Sequence, residues 1–247
     1  MISLPRETAP GKVLVVVPAW NERDSIATVL AEIAAAVPKA DVIVVDDGSS
    51  DGTSEVVRAM NGKVLTLPFN VGVGGAMRAG FLYALRKGYA VVVQVDADGQ
   101  HNPAEIENLL AALVAGADIC VGARFAGTGQ YRVRGPRWLA MRMLAIVCSW
   151  IVGSRLSDVT SGFRASGARA IELFAHDYPP EYLGDTVESL LLAHRAGLKV
   201  IQVPVAMRTR MAGNPSQSAI RSTVYLTRAM LVLALAVVRS PPKGGAG

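Results

Sequence analysis

Val13–Val17 is five apolar residues in a row, with no polar position left to face water. A strand half exposed to solvent alternates apolar and polar residues. A strand buried on both faces does not, and such strands belong to parallel sheets covered by helices on each side. Val42–Val45, Val64–Leu67, Tyr89–Val95 and Ile119–Gly122 read as further strands. Between them, apolar residues return at helical spacing: Ile26, Val29, Leu30, Ile33 and Val37, then Val56, Val57 and Met60, then a segment of about Met77–Lys87, then Ile106, Leu109, Leu110 and Leu113. Asn102-Pro103-Ala104-Glu105 opens the last of these, with Asn as the cap, Pro in the first turn and Glu closing a capping box. Strands alternating with helices require right-handed crossovers, so the fold class is α/β with a mostly parallel, Rossmann-like sheet flanked by helices.

Polar clusters follow three of the strands: PAWNE after the first, DDGSSDGT after the second and DADGQH after the fourth. The chemistry is therefore gathered on one edge of the sheet, at the carboxyl ends of strands, where open α/β sheets bind their ligands. In VVVQVDADGQH, Val91–His101, a buried strand gives way at once to Asp96, Asp98 and Gln100 at intervals of two. In extended backbone that spacing puts the three side chains on one face. Two carboxylates and an amide oxygen suit Mg²⁺ or Mn²⁺ that keeps substrate phosphates in its shell. DADG also reads as an acidic turn after a strand, because Asp-x-Asp is common. Asp46 and Asp47 end the second strand, where a carboxylate can accept from a base N–H or a ribose hydroxyl. Asp51 and Gly52 add turn chemistry there. Trp20 and Glu22 border the same region, and Trp20 offers a ring to a planar base. Gly72, Gly74 and Gly75 permit close backbone approach and open a helix whose N-terminus favours an anion. This is not the dinucleotide fingerprint, since it follows the third strand and not the first.

The 247 residues suit one large domain or one domain with an appendage. Hydrophobic residues make up 51% and charged residues 18%, and mean hydropathy is +0.34, more apolar than an average soluble domain. No run reaches the roughly 18 consecutive apolar residues of a membrane span, and MISLPRETAPGK lacks the apolar core of a signal peptide. Cys120 and Cys148 sit in apolar surroundings and read as packing residues of a reducing compartment. The net charge of +5 points to an anionic partner such as a nucleotide, a lipid phosphate or a membrane surface. Nucleic acid is disfavoured, because the few aromatics are not interleaved with the basic residues.

The second half is less regular. Leu139–Val152 is strongly apolar, with Arg142 inside it and Arg132, Arg134, Arg137 and Arg155 around it. It reads equally as an interfacial helix on an anionic membrane and as a buried core helix. SDVTSGFRA leads to a helical pattern near Ala168–Phe174. A further helix spans Thr186–Ala196 and a strand Lys199–Pro204. Ile220–Val238 is an apolar helix too short and too charged to span a bilayer.

Taken together and in this order, VVVPAWNE, VVDDGSSDGT, NVGVGGAMRAGFLYA, VDADGQHNP, VGARF and DVTSGFRA resemble the family-2 glycosyltransferases of GT-A fold, over about Val13–Val205. Within that family the pattern is similar to the polyprenol-phosphate sugar transferases, of dolichol-phosphate mannose synthase type. The resemblance implies a flexible tail over 1–11 and a glycosyltransferase domain over 12–205. The domain divides into a nucleotide-sugar half (12–124) and an acceptor half (125–205). A mobile loop and apolar helix follow over 206–239, then a disordered tail over 240–247. It implies a UDP- or GDP-sugar donor bound by Pro18, Ala19, Trp20, Glu22, Val45, Asp47, Gly74, Asp96, Ala97 and Asp98, with Arg208 or Arg210 on the diphosphate. The metal, Mg²⁺ or Mn²⁺, falls to Asp96, Asp98 and Gln100. The acceptor falls to Arg124, Arg134, Arg137, Ser161 and Arg164. One departure stands out: Gly213-Asn214-Pro215-Ser216-Gln217 lacks the Lys that the family places after the loop Ser.

The implied reaction inverts the anomeric centre, with Asp98 and Arg124 at its heart. A polyprenyl phosphate acceptor is anionic and needs no base; a hydroxyl of a glycan, lipid or small molecule does. Asp185 and Glu188 are the candidates for that base, and they also read as ordinary helix N-terminal charge. Asp158 is a third, better suited to holding the SGFR loop. A non-catalytic nucleotide-sugar-binding scaffold is the reading from another class. The expected place is peripheral, on the cytoplasmic face of a membrane, with a homo-oligomer or a small membrane protein left open as partner.

Overall fold

The computed structural model describes residues 11–124, 136–179, 184–208 and 210, without the side chains of 136–140 and 184–185. Its elements run β1 (Val13–Ala19), α1 (Arg23–Ala36), β2 (Asp41–Asp46), α2 (Thr53–Ala59), β3 (Lys63–Thr66), α3 (Val73–Arg86), β4 (Val91–Gln94), α4 (Ile106–Val114), β5 (Ile119–Ala123), α5 (Pro136–Val152), β6 (Arg164–Gly167), α6 (Ala168–Asp177), α7 (Gly184–Arg195) and β7 (Val200–Pro204). The strands form one seven-stranded sheet in the order β3-β2-β1-β4-β6-β5-β7. All pairings are parallel except those of β6, which runs antiparallel between β4 and β5.

The unbroken apolar character of β1 follows from this architecture. Leu14 and Val16 point into one core with α3, α5, α6 and α7, through Met77, Phe81, Leu144, Ile171 and Leu190. Val15 and Val17 point into the other with α1, α2 and α4, through Ile26, Ile33, Val57, Ile106 and Leu109. A polar residue at any of these four positions would be buried without a partner. Both cysteines are free and buried, and burial pushes each thiol up to about 12, so they are packing groups.

Helix α5 is neither wholly core nor wholly interfacial. Leu144, Ala145, Cys148 and Val152 are buried, while Met143, Ile146 and Trp150 on the opposite side are 46%, 60% and 75% exposed. Among the described residues, no helix is long and apolar enough to cross a membrane.

Three local expectations change. Strand β6 carries no apolar run and was not expected. Glu105 does not close a capping box: its carboxylate takes the Asn108 amide at 2.7 Å and the Ala206 N–H at 3.3 Å. The start of the segment expected to be a mobile loop is pinned. Val205 N–H donates to the Ala123 carbonyl and Arg208 N–H to the Gln100 carbonyl, with a backbone bridge between His101 and Met207. The expected loop residues 213–217, the helix Ile220–Val238, and Arg132 and Arg134 lie outside the described residues, as do the side chains of Arg137 and Asp185.

Candidate active site

The site is built at the carboxyl ends of β1, β2 and β4. The turns after β1 and β2 are tied into one wall. Asn21, at a φ of +54°, exchanges bonds with the β2 turn: its N–H donates to Ser49 Oγ and its Oδ1 accepts from Ser50 N–H, both at 2.9 Å. Glu22 N–H donates to Thr53 Oγ1 and Arg23 N–H to Asp51. Pro18 and Ala19 pair in register with Val45 and Asp46, which brings the expected nucleoside-pocket residues side by side. Trp20, the next residue, is 43% exposed.

Asp47 is buried and its two oxygens accept from Val71 N–H at 2.8 Å and Gly72 N–H at 2.9 Å. Burial raises its carboxyl above the usual range, and these two amides partly offset that. Asp47 therefore holds the loop that opens α3. Gly72 caps that helix at a φ of +86°, and Gly74 is buried in its first turn. Asp46 is likewise internal, accepting from Ser49 N–H and bonded to Ser54.

After β4 the chain turns rather than staying extended. Gly99 has a φ of +76°, and Asp98 Oδ1 accepts from Gln100 N–H at 3.0 Å. Asp96, Asp98 and Gln100 are each half-buried, while Ala97 and Gly99 between them are buried. The acidic-turn reading describes this backbone, and Asp96, Asp98 and Gln100 all lie on that turn. Asp98 is only 14% exposed at the side chain. Burial, then the charge of Asp96, push its carboxyl up.

A cation already answers Asp98. Arg210 lies 3.4 Å from Asp98 Oδ2 and is bonded to Glu22. Arg208, the other candidate, turns away: it grips both oxygens of Glu32 at 2.9 and 2.8 Å and donates to Asn102. Burial raises the Glu22 carboxyl, and Arg210 opposes that shift.

Asp96 is held from inside. Gln94 Nε2 donates to Asp96 Oδ1 at 3.0 Å. His101 is buried, stacked on Phe163 at 4.8 Å between centroids. Its Nδ1 accepts the Asp96 N–H at 3.0 Å and its Nε2 stands 3.5 Å from Asp96 Oδ2. Gly162 closes this corner: a Cβ there would sit 2.8 Å from Gln94 Nε2 and 3.2 Å from Asp96 Oδ2. Gln94, His101 and Gly162 were not among the expected site residues. The signal for His101 was its place next to Gln100 in a stretch otherwise assigned.

Three expected acceptor residues have internal partners. Arg164 is buried and its guanidinium donates to the Ser161, Val159 and Thr186 carbonyls and to Ser189 Oγ, which clamps the start of α7. Four internal acceptors hold that guanidinium inward. Ser161 is buried beside it, with its hydroxyl accepting from Phe163 N–H. Arg124 makes a two-pronged ion pair with Asp158, at 2.6 and 2.8 Å, and also donates to Thr160. Asp158, wholly buried at the side chain, bonds Arg124 and Thr160, so it ties the end of β5 to the segment just before Ser161. Burial raises its carboxyl, but Arg124 more than offsets this and holds it below the usual range. Glu188 is half-buried near the start of α7.

The family model described as glycosyl transferase family 2 matches residues 14–171. The polyprenol monophosphomannose synthase of Mycolicibacterium smegmatis is 32% identical over 226 residues, covering 87% of this chain and 84% of the relative. The undecaprenyl-phosphate mannosyltransferase of Micrococcus luteus is 34% identical over 223 residues, covering 84% and 88%. In fold, the chain is similar to glucosyl-3-phosphoglycerate synthase from Mycobacterium tuberculosis, solved with Mn²⁺, uridine diphosphate and glucosyl-3-phosphoglycerate. The TM-score is 0.71 at 21% identity, over 96% of this chain and 83% of that one. A mostly parallel sheet flanked by helices, with acidic turns at one edge, is the GT-A arrangement of these enzymes. The chain belongs to glycosyl transferase family 2 and is a glycosyltransferase.

Proposed function

We propose that this enzyme moves a sugar from a nucleotide-diphosphate sugar to a polyprenyl phosphate, on the cytoplasmic face of a membrane, with Mg²⁺ or Mn²⁺ held by Asp96, Asp98 and Gln100. The observation that carries the reading is the carboxylate pair after β4. Asp98 is nearly buried, is repelled by Asp96, and has a guanidinium drawn against it. Two carboxylates and an amide would leave positions for water and donor phosphates, as a hard divalent cation prefers.

When bound, the cation supplies neutralisation of the departing diphosphate. The chain does the rest. The joined turns after β1 and β2 would seat the nucleoside, with Trp20 offering its ring to the base. Arg210, 3.4 Å from Asp98 Oδ2 and close in sequence to Arg208, whose N–H donates to the Gln100 carbonyl, would turn from Asp98 to the diphosphate. A phosphate acceptor arrives anionic and requires no proton acceptor.

Support for the acceptor comes from the two relatives named for polyprenol and undecaprenyl phosphate, and from α5. Its outward Met143, Ile146 and Trp150, with exposed Arg142 and Arg155 nearby, suit an anionic lipid surface.

The test is calorimetric titration of nucleoside diphosphate with and without Mn²⁺, then transfer assays with polyprenyl phosphate against hydroxyl acceptors. Asp98→Ala should lose the metal-dependent part of binding and keep its fold. Unchanged affinity would remove Asp98 from the site. Transfer to hydroxyls alone would move the acceptor to that class.

A further inference from the structure

The grip on Asp96 is more specific than a carboxylate expected merely to reach outward requires. Its oxygens face two side chains that flank it in sequence: Gln94 Nε2, at the end of β4, donates to Oδ1 at 3.0 Å, and the His101 ring, five residues after Asp96, brings Nε2 to 3.5 Å from Oδ2. The His101 tautomer is fixed by geometry. An Nδ1 that accepts the Asp96 N–H carries no proton, so the ring proton sits on Nε2, the atom facing Asp96 Oδ2. The ring itself cannot swing: it is buried, stacked on Phe163, and its backbone is bridged to Met207. A Cβ at position 162 would intrude on this corner, so Gly162 keeps the space that Gln94 and Asp96 share.

We propose that His101 is a positioning residue for the metal site. It fixes both the backbone and the carboxylate of Asp96, and through Met207 ties that carboxylate to the segment carrying Arg210. The proposal rests on the metal reading above. Groups that orient a metal's ligands typically change its affinity about 10- to 100-fold when removed.

The experiment is Mn²⁺ titration of the full chain, with nucleoside diphosphate present, followed by the paramagnetic signal of free Mn²⁺. Nucleoside diphosphate affinity in chelator gives the metal-free reference. His101→Phe keeps the ring stack and removes both nitrogens; His101→Asn keeps an acceptor near Nδ1 and loses the Nε2 donor; His101→Gln offers a donor near Nε2. The expected result is about a 10- to 100-fold loss of Mn²⁺ affinity in Phe, a smaller loss in Asn and partial recovery in Gln. Metal-free nucleotide affinity should be unchanged in all three. Turnover should recover at saturating Mn²⁺, so that the effect falls on the metal's KM and not on kcat. If Phe does not fold, the Asn–Gln comparison decides. Mn²⁺ affinity within twofold of wild type in folded variants overturns the proposal, as does an equal loss of metal-free nucleotide binding. Wild-type protein without Mn²⁺ binding removes the metal site itself, and this proposal with it.

Discussion

Arg124 is the residue for which sequence and structure assign the most different work, and Arg124→Ala separates them. Asp158 has no solvent exposure at its side chain, and Arg124 supplies two short charged bonds to it plus a backbone N–H at 3.1 Å. Removing one partner of a buried pair leaves the other charge stranded, which costs about 3–5 kcal/mol. For a chain of this size that corresponds to a fall in Tm of roughly 6–20 °C. The pH dependence follows from the same pair. In the wild type the Asp158 carboxyl lies below its ordinary value, so the pair's contribution is complete above the ordinary carboxylate range and is lost as pH falls through the lowered value. In the variant the unpaired, buried carboxyl lies above its ordinary value, so the variant loses stability as pH rises through that raised value. The gap between the two proteins should therefore be widest at neutral pH and narrow in acid. Asp158→Asn placed on top of Arg124→Ala should recover part of the loss by removing the stranded charge. Thermal denaturation at a series of pH values measures all of this. A variant within about 1 kcal/mol of wild type would refute the reasoning, and loss of transfer in such a stable variant would return Arg124 to the substrate.

Arg210→Gln should raise donor-free Mn²⁺ affinity severalfold, because a guanidinium no longer stands 3.4 Å from Asp98; equal or weaker affinity in the same titration would show that it does not compete. Replacing Ile146 and Trp150 with Ser should remove the salt-resistant part of binding to anionic vesicles, since both side chains face outward. Vesicle flotation at low and high salt reads this, and wild-type protein that never floats sinks the membrane reading.

The parallel part of the fold was legible because its strands are buried on both faces, and burial on both faces writes an uninterrupted apolar run. Strand β6 was not, since Arg164-Ala165-Ser166-Gly167 has no apolar pattern. It is a strand because β4 and β5 offer it two edges. The inward bonds of Arg164 were hidden for a related reason: an Arg in a short polar motif looks like a ligand contact, and its acceptors at Thr186 and Ser189, more than twenty positions on, become neighbours only in three dimensions. Arg208 and Arg210 are indistinguishable in sequence; contacts with Glu32 and Asp98, over a hundred positions away, separate them. For α5 the apolar content was plain but its partition between core and surface was not, because the helix is apolar on both sides.

The antiparallel insertion of β6 also bears on how the chain is made. As residues leave the ribosome in order, β1 to β4 can assemble into a parallel half-sheet by the time Gln94 has emerged. The strand that covers β4's other edge arrives about seventy residues later, which at 5–20 residues per second is a delay of roughly 4–15 seconds. Strand β5 cannot fill the gap, since in the finished sheet it touches β4 through β6 alone. For those seconds a strand built to be buried on both faces presents an open edge, the arrangement most prone to pairing with a neighbouring chain. The half of the molecule that carries the carboxylates is therefore complete in sequence well before it is closed in space.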